Sequence, residues 1–282
     1  MVLLFHRELN SRYPELETKA ILYHLFDNFM GWSRATLHLN REKFLTEEIE
    51  LRFLNALGRL RAGEPIQYII GRMEFCGLNL KIQPGVLIPR PETEELAVLV
   101  TRDNQRFRNQ TISILDIGTG SGCLALSMKK AFPSANVTGI DKSPDALEIA
   151  RQNALSNQLE VTFFEDDILN PSFSWSPVFF DIIISNPPYI PEQERATMSS
   201  HVVDYEPENA LFVANDNPLL YYDAIAGFAK TNLTPDGLLY VEIHENYGDA
   251  TVNLFHDQGF RSVEMFLDYF GKNRFIRVST PS

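Results

Sequence analysis

The stretch LDIGTGSGCLAL, Leu115–Leu126, joins the end of an apolar strand to a glycine-rich turn and the start of an apolar helix. Glycine at Gly118, Gly120 and Gly122 permits a tight turn and lets the backbone approach a ligand without a Cβ in the way. The N–H groups at the start of the helix favour a carboxylate or phosphate group. The stretch therefore predicts a strand, a ligand-binding turn and a helix of an α/β fold.

Apolar strands and helical segments alternate from residue 112 onward. Ile182–Ile184 is continuously apolar, which is typical of a strand buried on both faces, as parallel strands covered by helices are. We therefore expect an α/β domain with a Rossmann-like sheet and helices on both faces. Parallel strands are predicted within 112–118, 135–141, 159–167, 180–186 and 237–243, and an antiparallel hairpin within 262–268 and 274–279.

The first seventy residues have the apolar spacing of helices. One helix is predicted to begin after Thr46, a good N-cap residue, and to end before Gly63. We therefore expect a small helical domain. Its predicted apolar faces consist of Leu16, Ala20, Tyr23, Phe26, Ile49, Phe53, Leu57 and Leu60.

A change of pattern separates the helical region from the α/β region. GEPIQYIIG, 63–71, breaks the helical pattern, and MEFCGLNLKI, 73–82, is typical of two short strands. We therefore predict a helical domain over 1–70, a linker hairpin over 71–90 and the main domain over 91–282.

Charge and cysteine content exclude several classes of protein. The net charge of -12, from 37 acidic and 25 basic residues, gives no general attraction to nucleic acid or to an anionic membrane. Cys76 and Cys123 lack the spacing of a zinc site or a disulfide framework. The apolar run Val2–Phe5 is too short for a signal peptide, and no run is long enough to span a membrane. We expect a cytoplasmic monomer without a metal, a membrane partner or a stable nucleic-acid partner.

Acidic residues at two later strand ends complete the pattern of a nucleoside-type site. Asp141 lies about twenty residues after the turn, where its carboxylate can accept hydrogen bonds from both ribose hydroxyls. Asp167 and Ile168 follow the next strand, where we expect contacts to an adenine amino group and ring face. GxGxG spacing favours S-adenosylmethionine, which has a compact carboxylate tail, over a dinucleotide. The predicted cofactor-binding residues are Gly118, Thr119, Gly120, Ser121, Gly122, Asp141, Asp167, Ile168 and Asn186.

A structural explanation of the same residues stays open. A glycine-rich turn between strand and helix, with solvent-exposed acids, would show a similar pattern. Asp116, Glu165 and Asp166 in particular could each be an exposed or capping carboxylate. The turn and the acids share one βαβ unit, which favours binding.

FDIIISNPPYIP, 180–191, places a polar tetrapeptide directly after a buried strand, at the sheet edge where such folds bind ligands. The side-chain oxygen of Asn186 and the carbonyl of Pro187 can each accept one N–H of a planar NH2 group, which directs its lone pair at a methyl donor. Tyr189 would offer a flat face to that group. We predict Asn186, Pro187 and Tyr189 as catalytic residues and Asn186, Pro187, Pro188 and Tyr189 as substrate-binding residues. A proline-stiffened turn is the structural alternative.

The chain resembles the HemK-like family of release-factor glutamine N5-methyltransferases over nearly its whole length. The resemblance implies a class I methyltransferase fold and transfer of a methyl group from S-adenosylmethionine, leaving S-adenosylhomocysteine. It also implies an acceptor, the side-chain amide nitrogen of the GGQ glutamine in peptide-chain release factors, which the N-terminal helices would help to hold. The segments that carry the resemblance are GEPIQYIIG, FCG, VLIPRPETEEL, LDIGTGSGCLAL, NPPYI, YEPENAL and DYFGKNRF.

The sequence departs from the family pattern at Ile168, Tyr205 and His244, where an aromatic residue, Phe and Gly are more usual. Only the first departure affects a predicted site residue, because it weakens the assignment of the adenine face. The roles of Arg90, Glu92 and His244 stay open.

Other functions fit the motifs less well. A DNA adenine-N6 methyltransferase also presents a planar NH2 group to such a tetrapeptide, but it must grip phosphates and flip a base, which the acidic composition disfavours. A nicotinamide oxidoreductase would need a Tyr-x-x-x-Lys pair, whereas Tyr222 is followed by Ala226. A non-catalytic cofactor-binding adaptor would not need an intact NPPY element.

Overall fold

The structure is a computed structural model that describes residues 1–40, 43–172, 175 and 178–279. The chain forms two compact units. The first consists of Met1–Arg72 and Ser199–Tyr205, and the second of Met73–Met198 and Glu206–Ser282. The hairpin segment after residue 72 is thus grouped with the α/β unit, and a short later segment is grouped with the helical unit.

Helices and strands alternate through most of the second unit, whereas the first is helical. The helices of the described residues are α1 Val2–Leu9, α2 Glu15–Met30, α3 Arg34–Leu39, α4 Glu47–Ala62, α5 Ile66–Ile70, α6 Pro91–Asp103, α7 Cys123–Ala131, α8 Pro144–Ser156, α9 Ser200–Val203, α10 Glu208–Leu211, α11 Leu220–Asn232 and α12 Gly248–Asp257. The strands are β1 Arg72–Phe75, β2 Leu78–Lys81, β3 Ser113–Ile117, β4 Asn136–Asp141, β5 Thr162–Glu165, β6 Phe180–Ser185, β7 Ile190–Pro191, β8 Phe212–Val213, β9 Leu233–Glu242, β10 Ser262–Leu267 and β11 Asn273–Ser279.

The predicted bounds of α4 are confirmed by its caps. The hydroxyl of Thr46 accepts a hydrogen bond from the N–H of Ile49 at 3.4 Å, and the helix ends at Gly63 with φ +97°. A left-handed residue of this kind ends a helix, and glycine adopts it without a Cβ clash. The capping residues Thr46 and Gly63 therefore mark the two ends of this helix.

Two expectations for the first unit are wrong. Leu16 is 80% exposed, because α2 turns another face toward the core of the unit. That face consists of Ile21, Leu22, Leu25 and Phe26. The ring centroids of Phe26 and Phe53 lie 4.6 Å apart. The GEPIQYIIG segment does not simply break the helical pattern. Its central residues form the one-turn helix α5, which Pro65 precedes and Gly71 ends with φ +79°.

The second unit contains the predicted sheet of seven strands, in the order β10-β11-β9-β6-β3-β4-β5. Strands β9, β6, β3, β4 and β5 are parallel, and β10 and β11 form the predicted antiparallel hairpin at one edge. Ile182, Ile183 and Ile184 are fully buried, as expected for a strand covered on both faces. Helices α7 and α8 pack against β3, β4 and β5, and α11 and α12 pack against β9, β10 and β11.

The direction of the strand order reverses at β3. From this strand the chain continues to β4 and β5 on one side, and later to β6 and β9 on the other. A reversal of this kind opens a crevice at the carboxyl ends of the central strands. Two smaller sheets, β1 with β2 and β7 with β8, complete the strands of the described residues. Among the helices that these residues form, none is long and apolar enough to cross a membrane.

Candidate active site

A cleft of about 980 Å3, open to solvent at its mouth, lies at the carboxyl ends of β3, β4, β5 and β6. The residues that directly follow each of these strands line part of the cleft. The loop before α6 and the segment around α10 line its remaining sides. Eight of the nine residues predicted to bind a cofactor line the cleft, and Gly122 does not. Its lining includes Leu87, Thr93, Gly118, Thr119, Gly120, Ser121, Asp141, Asp167, Ile168, Asn186, Pro187, Pro188, Asn209 and Tyr221.

The glycine-rich turn keeps its shape through its own backbone. The N–H groups of Gly118 and Thr119 both donate to the carbonyl oxygen of Ile140 at 2.9 Å. At Gly118 and Gly120 φ is +73° and +54°, and a Cβ built at either position would meet no atom within 4 Å. The turn therefore leaves open space above two glycines, which is the form of a backbone cradle for a ligand.

Gly122 has a different reason to be glycine. A Cβ there would lie 3.1 Å from the Cβ of Ala150, so the position is needed for the close approach of the turn and α8. Only two of the three glycines in the motif therefore border free space.

Asp141 ends β4 and connects it to the turn. Its Oδ2 accepts a hydrogen bond from the N–H of Gly120 at 2.8 Å, and its Oδ1 accepts one from the N–H of Ser143 at 2.9 Å. Burial raises the pKa of this carboxyl, although these backbone hydrogen bonds favour the ionised form. Each carboxylate oxygen has a second lone pair, so Asp141 can accept two further hydrogen bonds from a ligand.

Asp116, whose role was open, is a buried structural carboxylate. Its Oδ2 accepts hydrogen bonds from the hydroxyl of Thr119 at 2.6 Å and from the N–H of Ala125 at 3.0 Å, and so joins the turn to α7. Its Oδ1 has no partner among the described residues. Burial raises the pKa of Asp116 to about 7.

Asp166 and Asp167, the two acidic residues after β5, have different contacts. Asp166 accepts hydrogen bonds from the indole N–H of Trp175 at 2.8 Å and from the N–H of Ser172 at 2.8 Å, which organise the following loop. Burial opposes ionisation, but these hydrogen bonds hold the pKa of Asp166 below its usual range. Asp167 and Ile168 line the cleft as predicted, and Ile168 also packs against the core of the second unit.

Asn186 is held by a chain of hydrogen bonds that reaches the next strand. Its Nδ2 donates to the hydroxyl oxygen of Thr93 at 2.9 Å, and that hydroxyl donates to Oε2 of Glu242 at 2.8 Å. Thr93 is 2% exposed and Glu242 is fully buried, and burial raises the pKa of Glu242 to about 7. No described residue donates to Oδ1 of Asn186, so this oxygen is the polar atom available to a ligand in the cleft.

Tyr189 lies beside the cleft and does not line it. Its hydroxyl donates to Oε1 of Glu242 at 3.0 Å, and its ring meets that of His244 edge to face, 6.0 Å between centroids. Burial, followed by the nearby charge of Glu242, raises the pKa of Tyr189. His244 is also outside the cleft: its Nδ1 accepts the N–H of Asn246, and its Nε2 lies 3.1 Å from Oε2 of Glu194. The Nε2 atom therefore carries the proton, and His244 acts as a structural contact.

Arg90 stabilises the loop that precedes α6. Its Nη2 lies 2.5 Å from Oε1 of Glu206, and Oε2 of the same carboxylate accepts the N–H of Ile88 at 3.1 Å. The Glu206 side chain is 1% exposed. Since Val86, Leu87 and their neighbours line the cleft, this ion pair shapes one of its walls.

Sequence reasoning gave no role to several residues of the site. Two segments that carry the family resemblance, VLIPRPETEEL and YEPENAL, contain Leu87, Thr93 and Asn209. The resemblance could therefore have indicated these three residues. Tyr221 and Glu242 had no such signal. Glu242 looks like an ordinary strand end, and only the pairing of β9 with β6 brings it near Asn186.

Comparisons with known proteins agree with this architecture. Residues 97–205 match the family model described as the methyltransferase small domain, and residues 5–71 match the PrmC N-terminal domain. A release factor glutamine methyltransferase of Bacteroides thetaiotaomicron is 39% identical over 273 residues, which cover 97% of this chain and 96% of that protein. Another protein of the same name, from Lactococcus lactis, is 40% identical over 252 residues, covering 89% and 88%.

A solved structure of a methyltransferase from Pyrococcus furiosus shares the fold. It superposes with a TM-score of 0.54 at 17% identity, and the match covers 84% of this chain and 100% of that one. The class I methyltransferase fold that the sequence predicts is confirmed by the sheet and by this likeness.

Proposed function

This chain belongs to the family of release factor glutamine methyltransferases, and we propose that it transfers a methyl group from S-adenosylmethionine to the side-chain amide nitrogen of the GGQ glutamine of peptide-chain release factors. One observation carries the proposal: Asn186, Pro187 and Pro188 border the same cleft as the glycine-rich turn, so an acceptor held by Asn186 and a cofactor held by the turn would meet there.

The residues of the cleft fit the cofactor. The open space above Gly118 and Gly120 suits an amino-acid tail, because no side chain occupies it. Asp141 keeps lone pairs for the two ribose hydroxyls, and Asp167 and Ile168 line the cleft, where they could contact the adenine. When bound, S-adenosylmethionine supplies an electrophilic methyl group on a sulfonium sulfur.

Asn186 and Pro187 make the acceptor reactive by holding its plane. An amide nitrogen is a poor nucleophile because its lone pair is delocalised. Oδ1 of Asn186 and the carbonyl oxygen of Pro187 each accept one N–H, which directs the remaining electron density of the nitrogen toward the methyl group. These hydrogen bonds strengthen as the nitrogen becomes positive, so they favour the transition state over the ground state.

No general base is needed before the transfer. When the new N–C bond forms and the sulfur–methyl bond breaks, the positive charge passes from sulfur to the nitrogen, which is acidic enough to lose one proton to solvent. The position of His244 supports this, since its ring nitrogens are occupied by Asn246 and Glu194 outside the cleft. The hydroxyl of Tyr189 donates a hydrogen bond to Glu242, at 3.0 Å.

We infer that the helical first unit contributes to the recognition of the release factor. The catalytic elements all lie in the second unit, and the first unit exposes large apolar side chains that a protein substrate could cover, among them Leu39 at 84% and Phe44 at 100%. Replacing both by serine should raise KM for an intact release factor and leave cofactor affinity unchanged. An unchanged KM would contradict this role.

We also propose that the protein acts in the cytoplasm as a monomer. The free thiols of Cys76 and Cys123 suit a reducing compartment. Sedimentation of the purified protein, with and without a release factor, would test the oligomeric state.

The proposed reaction is tested by the location of a labelled methyl group. The purified chain is incubated with labelled S-adenosylmethionine and either a release factor or duplex DNA at physiological salt. We expect the label on the GGQ glutamine of the release factor and none on DNA. Label on adenine, with none on the release factor, would replace the proposal by the DNA methyltransferase alternative.

A further inference from the structure

We propose that Glu242, acting through Thr93, determines which polar atom of the Asn186 side chain faces the acceptor, so that both are positioning residues for methyl transfer. The proposal rests on the proposed function, because it assigns Asn186 to an acceptor amide. Neither Thr93 nor Glu242 belongs to the NPPY element.

When the carboxyl of Glu242 is ionised, above its pKa of about 7, the number of protons in the hydrogen-bond chain fixes its direction. The hydroxyl of Thr93 has one proton, which it donates to Oε2 of Glu242 at 2.8 Å. It can therefore only accept from Asn186, at 2.9 Å, and the atom that donates to it must be Nδ2. Oδ1 is then the atom left for the acceptor.

Shape alone cannot make this choice. The oxygen and nitrogen of an asparagine amide are nearly equal in size, so a flipped side chain would pack equally well. A flipped Asn186 would place Oδ1 against a hydroxyl oxygen that already donates elsewhere, which leaves a polar atom without a hydrogen bond and is unfavourable. It would also present an NH2 group to the NH2 group of the acceptor, so neither could accept.

In its ionised form, Glu242 can only accept hydrogen bonds. Oε1 receives the hydroxyl of Tyr189 at 3.0 Å while Oε2 receives that of Thr93, and the backbone oxygen of Glu242 receives the hydroxyl of Tyr222 at 3.1 Å. The residue is fully buried, and no cation of the described residues lies within ion-pair distance of its carboxylate. A buried carboxylate without a direct ion pair is costly to folding. A positioning role for two residues of the NPPY element accounts for its presence.

Thr93→Val tests the chain of hydrogen bonds, because valine has the shape of threonine and lacks the hydroxyl. We expect the single-turnover rate of methyl transfer to a release factor to fall at least about tenfold, in the range of a lost transition-state hydrogen bond. Cofactor affinity and KM for the release factor should change less than about twofold, since the loss is one of orientation. Thr93→Ser keeps the hydroxyl and should restore most of the rate.

Thr101→Val is the matched control on the same helix. Its hydroxyl donates to the carbonyl oxygen of Ala97 at 2.8 Å, away from the cleft, so this variant should keep the wild-type rate. If Thr93→Val is as fast as wild type, or if Thr93→Ser is as slow as Thr93→Val, the proposal is overturned.

A second readout does not depend on catalysis. In the cofactor-free protein, one side-chain N–H of Asn186 donates to Thr93 and should exchange slowly by NMR in wild type and Thr93→Ser, and fast in Thr93→Val. If the N–H of Asn186 exchanges at the same rate in all three proteins, the hydrogen bonds through Thr93 do not fix the orientation of the Asn186 amide, and the proposal is overturned. If wild type shows the slow exchange but transfers no methyl group to glutamine, the proposed function fails while the hydrogen-bonded orientation of Asn186 stands.

Discussion

Oδ2 of Asp141 holds the backbone N–H of Gly120 at 2.8 Å, so the carboxylate that is predicted to bind a ribose also fixes the turn that is predicted to bind the amino-acid tail. The two halves of the cofactor site are therefore one hydrogen-bonded unit. A change at Asp141 should affect both halves.

Asp141→Ala should weaken S-adenosylmethionine binding by about 1–3 kcal/mol or more, because charged hydrogen bonds to the ribose are lost and the turn is loosened. Asp145→Ala removes an exposed carboxylate from the start of α8 and should leave the affinity unchanged. Calorimetric titration of both variants measures this. Equal affinity of Asp141→Ala and wild type would exclude a role for Asp141 in binding.

Gly120→Val should abolish cofactor binding, because its side chain would enter the open space above the turn. Valine is also strained at φ +54°, so some stability is lost. Gly259→Val separates the two effects. Gly259 has φ +96° and open space around it, but it lies outside the cleft.

Calorimetry and thermal unfolding should show that both glycine variants are less stable and that only Gly120→Val fails to bind. Binding by Gly120→Val with wild-type affinity would place the cofactor elsewhere.

Arg90→Ala should lower the free energy of unfolding by about 1–3 kcal/mol, because it leaves the buried carboxylate of Glu206 without its cation. It should also weaken cofactor binding, since the loop 85–89 lines the cleft. Arg195→Ala is the control: its ion pair with Glu208, at 2.7 Å, is exposed and should contribute little. Denaturant unfolding and calorimetry compare the two. Equal effects of both variants would mean that the Arg90 pair has no special role.

Much of the fold could be predicted because its signals are local. Thr46 and Gly63 mark the ends of α4 within the helix itself, and the continuous apolar run of β6 requires burial on both faces. The face of α2 could not be predicted as well, because the orientation of Leu16 depends on which neighbours the helix meets. Local sequence determines elements, and packing determines which side of an element is buried.

The residues of the cleft show the same difference between local sequence signals and tertiary packing. Gly120 and Asp141 lie in a motif with a fixed spacing, so their common location was predictable. Glu242, at the end of β9, reaches Asn186 only through Thr93 on α6, and no spacing in the sequence predicts that contact.

The stability of the protein should fall as the pH rises from about 4.5 to 7. Burial raises the pKa of Glu242 from 4.5 to about 7, and Arg274, Tyr189, Tyr222 and Glu92 are the other titratable groups in its surroundings. The folded protein therefore keeps a proton that the unfolded chain has released in this window, and folding is favoured at its acidic end.

Glu242→Gln should show a shallower decrease across the same window, because the titrating group is gone. Some decrease should remain, since burial also raises the pKa of Asp116 to about 7. Urea unfolding at a series of pH values measures the slopes. Parallel slopes for variant and wild type would contradict the shifted pKa of Glu242.

The most direct test of the account is single-turnover methyl transfer to a release factor by wild type and Asn186→Ala, with saturating cofactor and the methylated residue identified by mass spectrometry. We predict that wild type methylates the side-chain amide of the GGQ glutamine, and that Asn186→Ala does so about a hundredfold more slowly, a loss of roughly 3 kcal/mol. Its affinity for the cofactor should stay largely unchanged. A wild-type rate for Asn186→Ala, or a wild-type enzyme that leaves the glutamine unmethylated, would contradict the account.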